Sequence, residues 1–455
     1  MPRVLLITFC YPPTQVIGSV RPAGLAKFLP EFGWETVVLT PKVKRTASDP
    51  AVIETEYRDV VDAWKARFGL DGKRSVHQQL GLPVSSQPGG GHFYTRILDV
   101  AKSVVTYPDE TKGWIPFAVE AVEEIAKRGL KIDAIVTTSP PIASHLIGAK
   151  ARKILGCPWV ADFRDLWSQN LSNSYPVLDA IQIGLEKRTL KQADALVTVS
   201  EPWAARLQKS HPRKQVFAIT NGFDPEHFAS VSRQLTEKFT ITYAGLLYQG
   251  RRDPRLLFEV LRELFDEKIM TPDDVRVRFY GRIESWVTTL LREYHLEDVV
   301  GIHGVVTRNE ALQRQAESQI LLMLGWSDPR ETGQHSGKLF EYFGAARPIL
   351  AIGGSRSVLT DTLRETAAGT HAFSKAEVRT FLMGAYGEFK SRGAVSYYGD
   401  EAAIGKYTHF QMARRFAEVL NRVSGPAVSA EGRMVQDETI AVPLAPVAPA
   451  GPKTR

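Results

Sequence analysis

The stretch TGQHSGKLFEYFGAARPIL (332–350) has Gly337 and Lys338 opening a run of helical character, with Glu341 on its first turn. A helix start offers unpaired amides and the positive end of the helix dipole. With a lysine beside them, phosphate is the ligand such a start suits. The stretch is not a Walker A loop. Three residues rather than four separate Gly333 from Gly337, and Leu339 follows Lys338 where Ser or Thr is required. Nucleoside triphosphate hydrolysis is therefore poorly supported. Basic residues gather again in YAGLLYQGRRDPRLL (243–257), where Arg251, Arg252 and Arg255 follow a small-residue turn at Gly245. Such side chains after a strand suit a diphosphate, and a solvated helix face is their other common use. FYGRIESW (279–286) is a further strand ending in glycine, at Gly281.

The first half carries three more candidate positions. Gly18 and Ser19 open a helix with Arg21 on its first turn, an anion-binding start or a plain serine-capped turn. His145 lies about one turn into a helix beyond AIVTT, where a neutral imidazole orients a hydroxyl or serves packing. ADFRDLWS sets Asp162, Arg164 and Asp165 between an apolar run and Trp167. That charge density suits a cleft, or an internal Asp–Arg clamp.

The elements that must hold these residues alternate strand and helix. Strands are expected at 4–9, 36–40, 134–138, 159–163, 195–200 and 216–222, then at 239–245, 275–281, 300–304, 320–325 and 348–352. The alternation implies an α/β protein with parallel sheets covered on both faces. So many strands exceed one ordinary sheet, so two doubly wound domains are expected, with a boundary in the polar, turn-rich stretch 222–238. Residues 43–120 are read as an insertion holding a flexible SSQPGGG patch (85–91). A final helix is expected over 406–423, and the Pro/Ala/Val-rich tail 425–455 is read as disordered.

Composition narrows the function classes. There are 57 basic and 50 acidic residues, a net charge of +7, which suits an anionic ligand or membrane face. Without a Lys/Arg block, a zinc-finger pattern or an RNA motif, nucleic acid is not an expected partner. Two cysteines, Cys10 and Cys157, exclude a disulfide framework and fit a reducing compartment. The short apolar run Val4–Cys10 fits a buried strand better than a signal peptide, and no apolar stretch is long enough to span a bilayer.

In order and spacing, seven pieces resemble the retaining glycosyltransferases of family four, which have the GT-B fold. They are VLLITFCYPPTQVIGS, LEKRTLKQADALVTVSE, TNGFDPEHF, YAGLLYQGRRDP, VRFYG, HGVVTRNEAL and KLFEYFGAARPIL. The resemblance covers roughly residues 1–424 and includes members with a proline-aspartate and tryptophan segment, here YPDETKGW (107–114). It implies an acceptor-binding Rossmann-like domain over 1–222 and a nucleotide-sugar domain over 223–405. A crossover helix, 406–424, would return to the first domain. It further implies transfer from a UDP- or GDP-sugar to a glycan or polyprenyl-linked acceptor, with retention. The setting is cell-surface polysaccharide or glycolipid synthesis, in the cytoplasm at the inner membrane face. No cofactor or metal is expected, consistent with the lack of an Asp-x-Asp motif.

By resemblance Glu341 binds the ribose hydroxyls, a role suited to a carboxylate accepting from vicinal groups. The family's other donor-site glutamate falls on Gly333, so Glu331, Gln334 or backbone amides would contact the sugar. Of the family's Arg/Lys diphosphate pair, the Arg position falls on Leu246 and the Lys position on Arg252, with Lys338 or Arg251 as replacement. Gly18 keeps half of the N-terminal glycine pair, and Ser19 replaces the rest. The donor set is thus Gly18, Gly245, Arg251, Arg252, Gly281, Glu331, Gly333, Gln334, Ser336, Gly337, Lys338, Leu339 and Glu341. The acceptor side is Ser19, Arg21, Asp162, Arg164 and Asp165, and the catalytic set is His145, Arg252 and Lys338. Departures at Gly333 and Leu246 leave two other readings, a nucleotide-sugar-binding protein with little or no transfer and a GT-B UDP-sugar epimerase. FYTRILDVAKSVV (93–105) suits shallow interfacial membrane binding, or a helix packed on its own domain.

Overall fold

A computed structural model describes residues 1–14, 16–43, 49–62, 106–171 and 176–425. The chain divides into two compact units. One runs from Met1 to Ile219 and regains the chain from Ala413 onward; the other spans Thr220–Met412.

The first unit is built on seven parallel strands: β1 (Arg3–Ile7), β2 (Glu35–Pro41), β3 (Val52–Thr55), β4 (Ala134–Ser139), β5 (Trp159–Phe163), β6 (Ala195–Thr198) and β7 (Gln215–Ala218). Their order is β3-β2-β1-β4-β5-β6-β7, so the order reverses between β1 and β4. The second sheet has six: β8 (Phe239–Ala244), β9 (Val275–Tyr280), β10 (Val300–Gly304), β11 (Ile320–Leu324), β12 (Ile349–Ile352) and β13 (Gly369–Ala372). Its order is β10-β9-β8-β11-β12-β13, with the reversal between β8 and β11.

Near-continuous apolar runs form these strands because both faces are covered. In β11, Leu322 and Leu324 join one core cluster while Leu321 and Met323 join another. On the first face, Leu257, Phe258, Val260, Leu261, Leu264 and Phe265 form the buried stripe of the helix Arg255–Asp266, at helical spacing.

Two strands were not expected from sequence, β3 and β13. Both are four-residue edge strands, and GTHA in β13 has little β-branched or apolar character. The region 43–120 is not a simple insertion either. β3 pairs with β2 through Val38↔Val52 to Pro41↔Thr55. Trp114 is fully buried and donates from Nε1 to Thr55 Oγ1 at 2.8 Å. The helix Ile115–Lys127 buries Ala118, Val122 and Ile125. The last helix begins at His409 rather than 406, with Thr408 Oγ1 accepting from the Gln411 amide at 3.3 Å. The SSQPGGG patch, the stretch 93–105 and the tail beyond 425 lie outside the described residues. Among those described, no helix is long and apolar enough to cross a membrane.

The YPDETKGW segment has a structural task. Asp109 Oδ1 accepts from the Thr111 amide at 2.7 Å and hydroxyl at 2.6 Å, while Oδ2 accepts from the Ala143 amide at 2.7 Å. One carboxylate thus caps two helical segments, the second being Ala143–Leu155 beyond β4. Asp109→Ala is expected to lower stability by about 2–3 kcal/mol. A urea titration would show a lower midpoint with an unchanged slope; an unshifted midpoint would remove the cap from the account.

Candidate functional site

Open parallel sheets bind ligands beyond the carboxyl ends of their strands, where strand order reverses. In the second unit that place lies at the ends of β8 and β11. β8 runs into Gly245, whose φ of 146° is glycine territory. A Cβ there would collide with the ammonium end of Lys338. Gly281 after β9 has φ 124°, and a Cβ on it would lie 2.5 Å from the Gly245 carbonyl oxygen. Gly245 makes room for Lys338 at the strand ends, and Gly281 makes room for the Gly245 backbone.

Lys338 is the second residue of the helix Gly337–Ala345. Its Nζ donates to Tyr243 Oη at 3.0 Å and lies 4.5 Å from that ring's centroid. Burial holds the ammonium pKa well below the lysine range; the Arg252 charge adds to the fall and Glu341 opposes it. Burial also pushes the Tyr243 phenol up to about 12, against Arg252. The Ser336 side chain forms no cap bond at this helix start.

Arg252 is 6% exposed, and its Nη2 donates to Gln334 Oε1 at 3.4 Å. Its guanidinium carbon lies 4.9 Å from the Tyr248 centroid and 5.7 Å from that of Trp326. Arg251 stacks on Trp326 as well, at 5.5 Å. Arg252 therefore converges with Lys338 at the end of β8, whereas Leu246 is half exposed. Glu341, one turn into the helix, accepts from Arg308 Nε at 3.4 Å. Burial raises its pKa, opposed by Arg308 and Gln315.

The segment before the helix brings Glu331, Gln334 and Ser336 to a cavity shared with Arg252 and Trp326. Gly333 is buried and supplies no acid. The Leu339 side chain is fully buried in the apolar core with Phe340 and Phe343, and it forms part of the cavity wall. Sequence reasoning missed Trp326, Tyr243 and Tyr248. Trp326 was findable, since it stands two residues past the end of β11, where ligand-facing residues gather.

In the first unit, Arg21 and Asp162 form an internal clamp. Asp162 accepts from Arg21 Nε at 2.9 Å and Nη2 at 2.8 Å, and from Thr138 Oγ1 at 2.9 Å. Arg21 Nη2 also meets the Ile219 carbonyl at 2.9 Å, and the two residues are 3% and 0% exposed. Neither side chain is presented to solvent, which corrects their placement on the acceptor side. Ser19 is likewise buried, its Oγ 2.8 Å and 2.7 Å from the Thr14 and Val16 carbonyls. Arg164 behaves differently. Its Nη1 donates to the Gly18 carbonyl, Nη2 to that of Pro140, and Nε to that of Ser139 at 3.3 Å. It bridges the loops after β1 and β4, at the strand-order reversal. Asp165 is half-buried beside it and adds a charge that favours the guanidinium.

His145 is corrected too. It is 0% exposed, with Nδ1 2.7 Å from Thr137 Oγ1. Its ring centroid lies 4.4 Å from Phe163, 6.3 Å from Trp159 and 6.4 Å from Trp167. Burial, then the Arg164 charge, lowers its pKa to about 3, so the ring is neutral at ordinary pH. In this aromatic enclosure Nδ1 is committed to Thr137 and the ring is not presented to solvent. His145→Ala is expected to cost about 2–4 kcal/mol of stability through the cavity it leaves, without lowering turnover per folded molecule. Thermal melts beside active-site-normalised rates would decide it; a rate loss in fully folded variant would return His145 to the site.

Residues 18–222 match the family model for the glycosyl transferase 4-like domain. No curated protein matches the chain. Among solved structures, a glycosyltransferase from Rickettsia africae aligns with a TM-score of 0.55 at 14% identity, covering 94% of this chain and 99% of that one. HepE from Anabaena, in complex with UDP and glucose, aligns at 0.56 and 13% identity, covering 92% and 99%. Sucrose-phosphate synthase from Thermosynechococcus elongatus aligns at 0.55 and 14%, covering 92% and 95%. The chain has the GT-B fold. The cationic strand ends of the second unit are thus a feature of a GT-B chain whose first unit carries the matched domain over most of its length.

Proposed function

We propose that the chain is a glycosyltransferase. It would move a sugar with retention from a UDP- or GDP-sugar bound in the second unit to a glycan or polyprenyl-linked acceptor bound by the first. The observation carrying this reading is the convergence of Arg252 and Lys338 beside Gly245, with Glu341 one turn further along the helix. Two cations and a helix start without a side-chain cap oppose the charge that develops on a departing diphosphate. Glu341 accepts from the ribose hydroxyls. HepE, in complex with UDP and glucose, lends weight to a nucleotide-sugar donor. The reaction is read as a same-face substitution in which the leaving diphosphate takes the acceptor proton and no metal is needed. The setting is polysaccharide or glycolipid synthesis at the cytoplasmic membrane face, where the net charge of +7 and the stretch 93–105 favour anionic lipid.

The test is incubation of the purified chain with single nucleotide sugars and a lipid extract, with and without chelator. Nucleoside diphosphate release and the anomeric configuration of the product are measured, and sedimentation with anionic vesicles reads the membrane contact. Release with an inverted product, or release abolished by chelator, would sink retention or metal independence respectively. A binding protein without transfer is the second reading, favoured by the missing acid at Gly333 and the enclosure of His145. Donor binding with no diphosphate release under any acceptor would establish it.

A further inference from the structure

The cavity beside Arg252 has donors with nothing to receive them. Trp326 Nε1 and Arg252 Nε are both enclosed, and among the described residues neither has a hydrogen-bond partner. Their residues are 8% and 6% exposed. Both residues line one cavity, together with Glu331, Gln334, Ser355 and Leu359. Indole and guanidinium N–H groups donate only, and a buried donor left unpaired destabilises the fold that encloses it. The arrangement calls for an acceptor oxygen that arrives with a ligand.

The rest of the wall selects among acceptor groups. Met323, Leu339 and Leu359, which belong to one apolar cluster, give one side of the cavity an apolar character. A sugar hydroxyl offers an acceptor but leaves that apolar side uncovered. A carboxylate offers two acceptors but sets a second negative charge beside Glu331, with the same apolar side unmet. An acyl amide offers a carbonyl oxygen for the two donors and a methyl group for the leucines.

We propose that this cavity receives the N-acetyl group of the donor, so that the substrate class is the nucleotide-activated N-acetylated amino sugar. The inference rests on the donor-site reading above. The carbonyl accepts from Trp326 Nε1 and Arg252 Nε, and the methyl contacts Leu359. Trp326 becomes the specificity-determining residue, placed by the turn that follows β11.

The test is calorimetric titration of the full chain with UDP, UDP-glucose, UDP-N-acetylglucosamine and UDP-glucuronate, and with the corresponding GDP series. The N-acetylated donor should bind about tenfold more tightly than the glucose donor on the same base. Trp326→Phe keeps the ring and removes the N–H. It should bring that ratio close to one, with a thermal melt checking the fold. Leu359→Phe, which fills the cavity, should weaken only the N-acetylated donor. Equal affinities for the glucose and N-acetyl donors overturn the proposal. So does a preference for the glucuronate, or a ratio that Trp326→Phe leaves intact, the result expected if the cavity holds only water. Nucleotide binding without N-acetyl preference overturns this inference alone; a chain that binds no nucleoside diphosphate takes the donor-site reading down with it.

Discussion

Lys338→Met is expected to cut sugar transfer by about 100- to 1,000-fold, the usual loss when a preorganised donor to developing charge is removed. The same change should not destabilise the free protein. In the unliganded fold the ammonium pKa is depressed by burial and by Arg252. Between that depressed value and the ordinary lysine pKa, the unfolded chain binds more protons than the folded one, so stability rises with pH across the window. Methionine removes that slope, and denaturant midpoints measured across the pH range would show the flattening. A diphosphate reverses the balance, because it favours the charged ammonium over the neutral amine. Donor binding should therefore take up protons, and its affinity should fall as pH rises through the bound-state pKa. Tyr243, Arg252 and Glu341 are the other titratable groups that act on this ammonium. Calorimetry in buffers of different ionisation heat reads the uptake directly. No uptake, together with near-parental transfer in the variant, would take Lys338 out of the diphosphate site.

Glu341→Ala should weaken nucleotide binding by about 100-fold, the scale of losing two hydrogen bonds to a charged acceptor. The parent protein should prefer UDP over its 2′-deoxy analogue, and the variant should not distinguish them. Arg308 already neutralises part of the Glu341 charge at 3.4 Å. Ribose hydroxyls arriving as donors would thus meet a carboxylate that is held in place but not saturated. Equal binding of the ribo and deoxy forms by the parent would assign Glu341 to the Arg308 contact alone.

The sheets were readable because parallel strands covered on both faces carry long apolar runs that stand out in any window. β13 escaped because GTHA has little apolar or β-branched character, and β3 because its β-branched run, VIET, is only four residues long inside a polar stretch. Site residues divided along a similar line. Gly245 and Lys338 follow local logic, a strand end and a helix start, and that logic survives folding. Arg21, Asp162 and His145 depend on what lies across the sheet, and a charge-rich stretch looks the same in one dimension whether it lines a cleft or closes a clamp. Trp326 was passed over because a lone aromatic residue beyond a strand has no spacing to recommend it; only the unpartnered indole nitrogen singles it out.

Arg164 has a consequence for any exchange of loops in the first unit. Its guanidinium holds carbonyls of Gly18, Ser139 and Pro140, on both sides of the gap between β1 and β4. The two loops are therefore one inheritable part. Grafting either from a relative would bring carbonyls that no longer meet the fork, and a half-buried cation would be left without acceptors. Natural variants and engineered chimeras should tolerate exchange of the Gly18 loop, the Pro140 loop and Arg164 together, and should lose soluble protein when only one of the three is changed.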